Sequence, residues 1–311
     1  MASHVAVASG GRSLEREVSL RSGGRAADAL EALGYEVTIL DPDARFVRRI
    51  RELAPDFVFV AMHGRGGEDG TLQDLLEILG VPYTGSDVHA SGRCLDKHSF
   101  KQLMQAQGLD TPEWHSFNRE AFSEFGAAES LDQLAEQLGL PFVLKPARQG
   151  SSLGIKFVET PDQFGPAILG ALGYDDRVVI ERYVSGRELA VTVLGPAEAP
   201  EVLPVIEIET EEPFYTFRAH YDPGAATMRE AELEPGIRER VETVAAQAYT
   251  AAGCRDLGRV DLILEEDVPQ ILEINTIPGL TETGPTRYAA QAAGMDFTDL
   301  IARVISRVTA A

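Results

Sequence analysis

The chain has 311 residues, 28 Lys and Arg against 49 Asp and Glu, a formal net charge of −21, and 44% hydrophobic residues. That charge disfavours nucleic acid and anionic membrane as partners, because both are bound by neutralising phosphates with Lys and Arg, while length and apolar content allow a large core spread over two or three domains. Cys94 and Cys254 are the only cysteines and no apolar run approaches the length of a membrane span, so a disulfide framework, a thiolate zinc site and a spanning helix are not expected and the sequence reads as cytoplasmic.

The first hundred residues read as βαβ units: a strand over His4–Ala8, a turn at Gly10-Gly11, a helix over Val18–Leu33 and a strand over Tyr35–Leu40. Ligands of such sheets sit at the carboxyl ends of strands, where Ser13, Glu15 and Ser19 fall. Glu15 reads either as a holder of an ammonium group or as a capping carboxylate. Asp56–Met62 is a strong apolar strand that runs into His63-Gly-Arg-Gly-Gly-Glu-Asp-Gly70, a loop whose glycines let backbone amides approach a ligand. His63 is a ligand contact or a satisfied structural histidine. A helix over Thr71–Leu79 and a short strand over Val81–Thr84 follow, then one helical pattern from Ser86 to Gln107 with Lys97 and Lys101 near its middle.

Thr111-Pro112 marks a break. A helix over Leu131–Gly139 leads to a strand over Leu140–Leu144 that ends in Lys145-Pro146, ahead of Gly150-Ser-Ser-Leu-Gly154. Backbone N–H groups, hydroxyls and a strand-end lysine together suit a phosphate, although GxxxxGK[ST] is absent and a plain hairpin turn has the same composition. Strands are expected over Arg177–Glu181 and Arg187–Leu194; at the end of the first, Glu181, Tyr183 and Val184 offer carboxylate, backbone and apolar contacts suited to a base and ribose. The aromatic stretch from Pro213 to Gly224 is a lid or a packed surface loop. A helix over Pro235–Ala252 precedes a hairpin, and helices from Tyr288 close the chain.

That hairpin, Gly258 to Gly279, is the most informative stretch. Val260, Leu262 and Leu264 alternate with Arg259, Asp261 and Ile263, and Ile271, Glu273 and Asn275 alternate with Leu272 and Ile274. Side chains two apart share a face, so aligned strands would gather Asp261, Glu273 and Asn275 as oxygen ligands beside Arg259. Such a set suits Mg²⁺ rather than Zn²⁺; the hairpin alone reads equally as an acidic surface element.

Taken in order, Glu15-Arg-Glu-Val-Ser19, His63 to Thr71, Pro82-Tyr-Thr-Gly85, Asp96-Lys97, Lys145-Pro, Gly150-Ser-Ser, Gly258-Arg-Val-Asp261 and Glu273-Ile-Asn-Thr-Ile-Pro-Gly279 resemble the D-alanine–D-alanine ligases of the ATP-grasp superfamily over nearly the whole chain. The resemblance implies a mixed α/β ATP-grasp fold. Its expected parts are an N-terminal parallel-sheet domain (1–96) that binds the first substrate, a central subdomain (97–186) and a C-terminal catalytic domain (187–311), the last two clasping ATP between antiparallel sheets. It further implies that Lys97, Lys145, Glu181, Tyr183, Val184, Glu188, Phe214 and His220 contact the nucleotide. Asp261, Glu273 and Asn275 would hold two Mg²⁺ ions, with Mn²⁺ as a substitute. Glu15 and His63 would take the ammonium of the first D-alanine, Gly284 would lie at the second, and Ser151, Tyr221 and Glu15 would link to shut the lid. Arg259 and Gly279 would meet the oxyanion. The implied reaction joins two D-alanines through an acyl phosphate for peptidoglycan, in a cytoplasmic homodimer.

Two positions depart from the family pattern: His220 stands where a lysine usually contacts phosphate, and Gly284 where a serine usually contacts the second substrate's carboxylate. They keep open a related carboxylate–amine ligase with another acceptor. A regulatory ATP-binding protein without turnover is the third reading, and the presence of Arg259, both lysines, Glu15 and all three oxygen ligands argues against it. Free histidine has a pKa of about 6.5, and its charged form helps hold phosphate. The KM for ATP is therefore expected to climb as pH rises from about 6 to about 9 and the imidazolium is lost, and to stay flat in His220→Lys, measured by phosphate release.

Overall fold

The computed structural model describes residues 3–124, 131–210 and 225–310. Strands β1 (His4–Ala8), β2 (Glu36–Leu40) and β3 (Phe57–Val60) form a parallel sheet in the order β2-β1-β3. Val5 to Ala8 are fully buried and Phe57 to Val60 nearly so, as unbroken apolar runs must be when both faces of a parallel sheet are covered. The strand expected over Val81–Thr84 shrinks to a single bridge between Val58 and Tyr83. The helical pattern from Ser86 to Gln107 is two helices, Val88–Leu95 and Lys97–Ala106. Asp96 causes the break: its backbone is extended and its carboxylate accepts from Ser99 N at 3.0 Å, capping the second helix. Lys97 thereby opens a helix, and Lys101 follows one turn later on the same face.

β4 (Trp114–Asn118), β5 (Phe142–Pro146), β6 (Lys156–Val158) and β7 (Arg177–Arg182) make an antiparallel sheet in the order β4-β7-β5-β6. The third sheet, also antiparallel, runs β11-β10-β8-β12-β13 through Ala226–Glu230, Ile206–Thr210, Arg187–Gly195, Asp256–Glu265 and Val268–Asn275, with β9 (Glu201–Val202) beside β8. Strands β4, β6, β10 and β11 carry weak or mixed apolar patterns and were not expected from sequence.

The register of β12 against β13 corrects one expectation. Arg259 faces Asn275 and Asp261 faces Glu273, but Leu262 then faces Ile271, so Leu272 is an extra residue in the ladder. Strict alternation would leave Ile271 on the face of Glu273 and Asn275. The β-bulge reverses the phase instead, sending Ile271 (0% exposed) into the core with Val260, Leu262, Leu264 and Ile274.

The N-terminal sheet shares its core with distant parts of the chain. Val5, Val7, Leu30 and Phe57 pack in one cluster with Leu194, Leu203 and Ile206 of the third-sheet region and with Leu300, Ile301 and Val304 of the helix Phe297–Thr309. Asp256 locks this seam. Its buried carboxylate accepts from Arg307 Nε at 2.7 Å and Nη2 at 2.8 Å and from Gly85 N at 2.8 Å, while Arg307 also donates to Tyr83 O at 2.7 Å. Asp256 is buried while Arg307 is partly exposed, so removing the arginine leaves the carboxylate with Gly85 N in a dry seam. Arg307→Ala is expected to cost about 2–4 kcal/mol, read as a lower urea midpoint with an unchanged slope.

Candidate active site

Two cavities meet at Glu273. The first is an open cleft between the second and third sheets. On β7, Glu181 pairs with Val143 of β5, which places it diagonal to Lys145 on the same face. On β8, Glu188 pairs with Ile263 of β12. The bulge then adds Leu272 beside Ile263, so the third sheet offers an apolar floor next to two carboxylates, Asp261 and Glu273. Lys97, Lys145, Glu181, Tyr183, Val184 and Glu188 all line this cleft, with Gln149 and Ser152 from the glycine loop. Phe214, His220 and Tyr221 lie outside the described residues.

The cleft's charges are paired and largely buried. Lys145 Nζ donates to Glu181 Oε2 at 2.7 Å, and Lys101 Nζ stands 3.3 Å from Oε1. Burial works against ionisation of Glu181, but Lys101 and then Lys145 outweigh it and hold the carboxyl below its ordinary range. Lys97 Nζ contacts Glu273 at 2.8 Å and donates to Gln149 O at 2.8 Å. Burial likewise opposes the Glu273 charge, yet Lys97, with Lys145 and Arg259 adding to it, brings that carboxyl down to about 2. Lys101 is fully buried, and desolvation pulls its ammonium down to about 8 even though Glu181 opposes the shift.

Asp261 is clamped by Arg259, Nε to Oδ1 at 2.7 Å and Nη2 to Oδ2 at 2.8 Å, and Asn275 Nδ2 donates to Oδ2 at 3.1 Å. Burial nevertheless pushes the Asp261 carboxyl up, so this carboxylate gains from any further cation. Among the described residues no group of three or more His, Cys, Asp or Glu side chains gathers as a metal site. The donor set here is two carboxylates and one amide whose nitrogen is already committed, leaving its oxygen to ligate. Hard oxygens of this kind fit a divalent cation such as Mg²⁺ that draws its remaining ligands from substrate phosphates and water.

The second cavity is lined by Glu15, His63, Glu68, Ser151, Arg259, Asn275, Gly279, Thr281 and Gly284 together with Glu273. Ser151 Oγ donates a short hydrogen bond to Glu15, tying the glycine loop to the N-terminal sheet. Ser151 and Ser152 both hold left-handed backbones, φ 48° and 58°, a local strain typical of functional loops. Burial and then Glu68 push the Glu15 carboxyl up, against Ser151, His63 and Lys97. A pair of buried carboxylates with too little countercharge is a ready seat for an ammonium group. Glu68 was missed from sequence; it lies in the glycine-rich loop, accepts from Gly64 N at 2.7 Å, and stands 3.9 Å from His63 Nδ1. Lys101 stands out in the sequence only as the second lysine of the helical pattern, four residues from Lys97, with nothing there to mark its role. At Gly284 a Cβ would lie 3.0 Å from Gly279 O and 3.4 Å from Thr281 Oγ1.

Two family models match the chain, D-ala D-ala ligase C-terminus over residues 103–306 and D-ala D-ala ligase N-terminus over 42–86. It is 42% identical to the D-alanine–D-alanine ligase of Desulforudis audaxviator over 307 residues, 98% of each chain. It is 40% identical to that of Moorella thermoacetica over 303 residues, 97% of each chain. The structure superposes on D-alanine–D-alanine ligase from Bacillus anthracis complexed with ATP with a TM-score of 0.84 at 29% identity, covering 99% of this chain and 98% of that one. It also superposes on VanG D-Ala:D-Ser ligase from Enterococcus faecalis, TM-score 0.84 at 25% identity, covering 99% and 100%.

The approach of the His63–Gly70 loop to Glu15 is testable. At Gly64, φ 67°, a Cβ would lie 2.4 Å from Glu15 Oε2; at Gly80, φ 68°, it would meet nothing within 4 Å. Gly80→Ala should cost only the left-handed backbone penalty of about 1–2 kcal/mol. Gly64→Ala should cost about 1–3 kcal/mol more through overpacking, compared by chemical denaturation of the two variants.

Proposed function

The chain belongs to the D-alanine–D-alanine ligase family, an ATP-grasp enzyme family, and on that premise we propose that its two adjoining cavities join two D-alanine molecules at the expense of ATP, supplying the dipeptide of peptidoglycan. The observation that carries this reading is the shared wall at Glu273: a cleft with a strand-end lysine, a helix-start lysine and an apolar floor opens beside a cavity with an ammonium seat, an arginine and a glycine-rich backbone. Phosphoryl transfer from nucleotide to substrate needs those two environments side by side.

In this reading the adenine lies along Val184, Leu272 and Ile263, and Lys97 and Lys145 meet the phosphates. Mg²⁺, held by Asp261, Glu273 and the Asn275 amide oxygen, would neutralise charge on the transferring phosphoryl group. Glu15, backed by His63 and Glu68, holds the ammonium of the first D-alanine. That substrate's carboxylate oxygen attacks the γ-phosphorus, ADP leaves, and an acyl phosphate forms. The uncharged amine of the second D-alanine then attacks the carbonyl carbon, the Arg259 guanidinium and the Gly279 N–H stabilise the oxyanion, and the C–O bond breaks to release inorganic phosphate, which carries off the proton lost from nitrogen. The Ser151–Glu15 bond would help keep water from the acyl phosphate. The division at residues 96 and 186, the homodimer and the cytoplasmic location belong to the same reading; no helix among the described residues is long and apolar enough to cross a membrane.

One observation favours a second reading with another acceptor. Gly284 offers no hydroxyl and Pro285 no N–H at the end of the cavity where the second substrate's carboxylate would rest. Incubation with ATP, Mg²⁺ and D-alanine alone, followed by phosphate release and mass spectrometry of the product, decides between them. D-alanyl-D-alanine is the expected product. ATP turnover that yields mixed product only when D-serine or D-lactate is added would transfer the assignment to the second reading.

A further inference from the structure

Lys101 does not reach the cleft, yet it is a fully buried cation in direct contact with a residue that does. Its ammonium donates to Thr111 Oγ1 at 2.6 Å, and Thr111 in turn donates to Ile271 O at 2.8 Å. Its other neighbour is Glu181 Oε1 at 3.3 Å, an oxygen that has no aligned hydrogen-bond donor. The second Glu181 oxygen holds Lys145. The group therefore consists of two ammoniums sharing one carboxylate, and it carries one net positive charge, with Lys145 as the cation that lines the cleft.

Resting on the reading of this cleft as a nucleotide site, we propose that Lys101 is a positioning residue for the polyphosphate: by taking up the charge of Glu181 it leaves Lys145 a net cation for the phosphates. With Lys101 absent, Glu181 and Lys145 form a neutral pair, and the strand-end lysine is spent on its neighbour. The stability balance points the same way. Burying an ammonium is expensive, and an apolar side chain of similar length would fill the volume without that cost. A costly buried cation one residue behind a substrate-facing lysine fits a role in tuning the site's charge. Its contact with Thr111, and through it the carbonyl of Ile271, also fixes the ammonium between the two sheets that wall the cleft.

The test is a comparison of ATP with adenosine by isothermal titration calorimetry on the full chain, which needs no turnover. Lys101→Met is expected to weaken ATP about tenfold, the effect of losing one charge at a partly buried site, while adenosine changes less than about twofold. Glu181→Gln added to Lys101→Met restores the net positive charge and should bring the ATP-to-adenosine affinity ratio back to the wild-type value. Equal weakening of both ligands by Lys101→Met would overturn the proposal in favour of a purely structural role, as would a double variant whose ratio stays at that of Lys101→Met. If the single variant does not fold, the ratio in the double variant against Glu181→Gln alone decides: the charge argument requires the double to bind ATP more weakly, and equality overturns it. Wild-type protein that binds neither ligand overturns the nucleotide reading together with this one.

Discussion

The extra residue at Leu272 lets one hairpin serve as core and as site wall. Without the bulge, the strand that carries Glu273 and Asn275 would carry Ile271 toward the cleft and would pull Leu272 away from it. With it, five aliphatic side chains of β12 and β13 are sealed beneath the sheet, and the upper face presents Leu272 and Ile263 beside Glu273 and Asp261. An apolar floor adjoining hard oxygen donors is what a nucleotide with a metal-bound tail requires, and a regular two-residue period cannot supply it.

Electrostatics in this chain is local. The sum of charges is −21, yet Lys97, Lys101, Lys145 and Arg259 are all buried and gathered around the cleft, each against a carboxylate. Low dielectric strengthens these pairs and also makes each charge costly, so the cluster is poised: Glu273 is held far below its ordinary pKa while Asp261 is pushed above. A site in which cations and anions nearly balance can accept both a polyphosphate and the cation that accompanies it. The surrounding acidity matters less, because exposed charges beyond about 8–10 Å are screened by salt.

The second cavity depends on a different constraint, the seam between the first sheet and the remainder of the chain. Glu15 and His63 come from the segments that follow β1 and β3, Ser151 from the glycine loop, and Arg259 and Gly279 from the third sheet and its exit. They converge because the N-terminal strands share a core with the C-terminal helix and because Asp256 is held by Arg307 and Gly85 across the join. Small shifts at that seam would be felt directly in the spacing of the substrate groups.

Much of this was legible in the residues. Buried parallel strands announce themselves as unbroken apolar runs, and β1 and the helices Thr71–Leu79 and Pro235–Ala252 have the bounds the pattern implied. Strand-end lysines, glycine-rich loops and the Arg-Val-Asp and Glu-Ile-Asn motifs stand out locally, since their spacing is a property of neighbouring positions, and their order along the chain sufficed for the family. What the sequence left open needed distances between remote parts. The phase reversal at Leu272 arises from pairing with β12, and Glu68 joins Glu15 only once β3 pairs with β1; the helix break at Asp96 is the exception, a local cap that competes with a continuous apolar pattern. Lys101 is the clearest case: in sequence it is one more lysine on a helix, and its burial against Glu181, 80 positions away by residue number, exists only once two sheets and a helix have packed. The sequence by itself determined which chemistry the chain carries, because local motifs encode ligand types. Only tertiary structure decided which charges share a site, because that depends on long-range packing that no local period records.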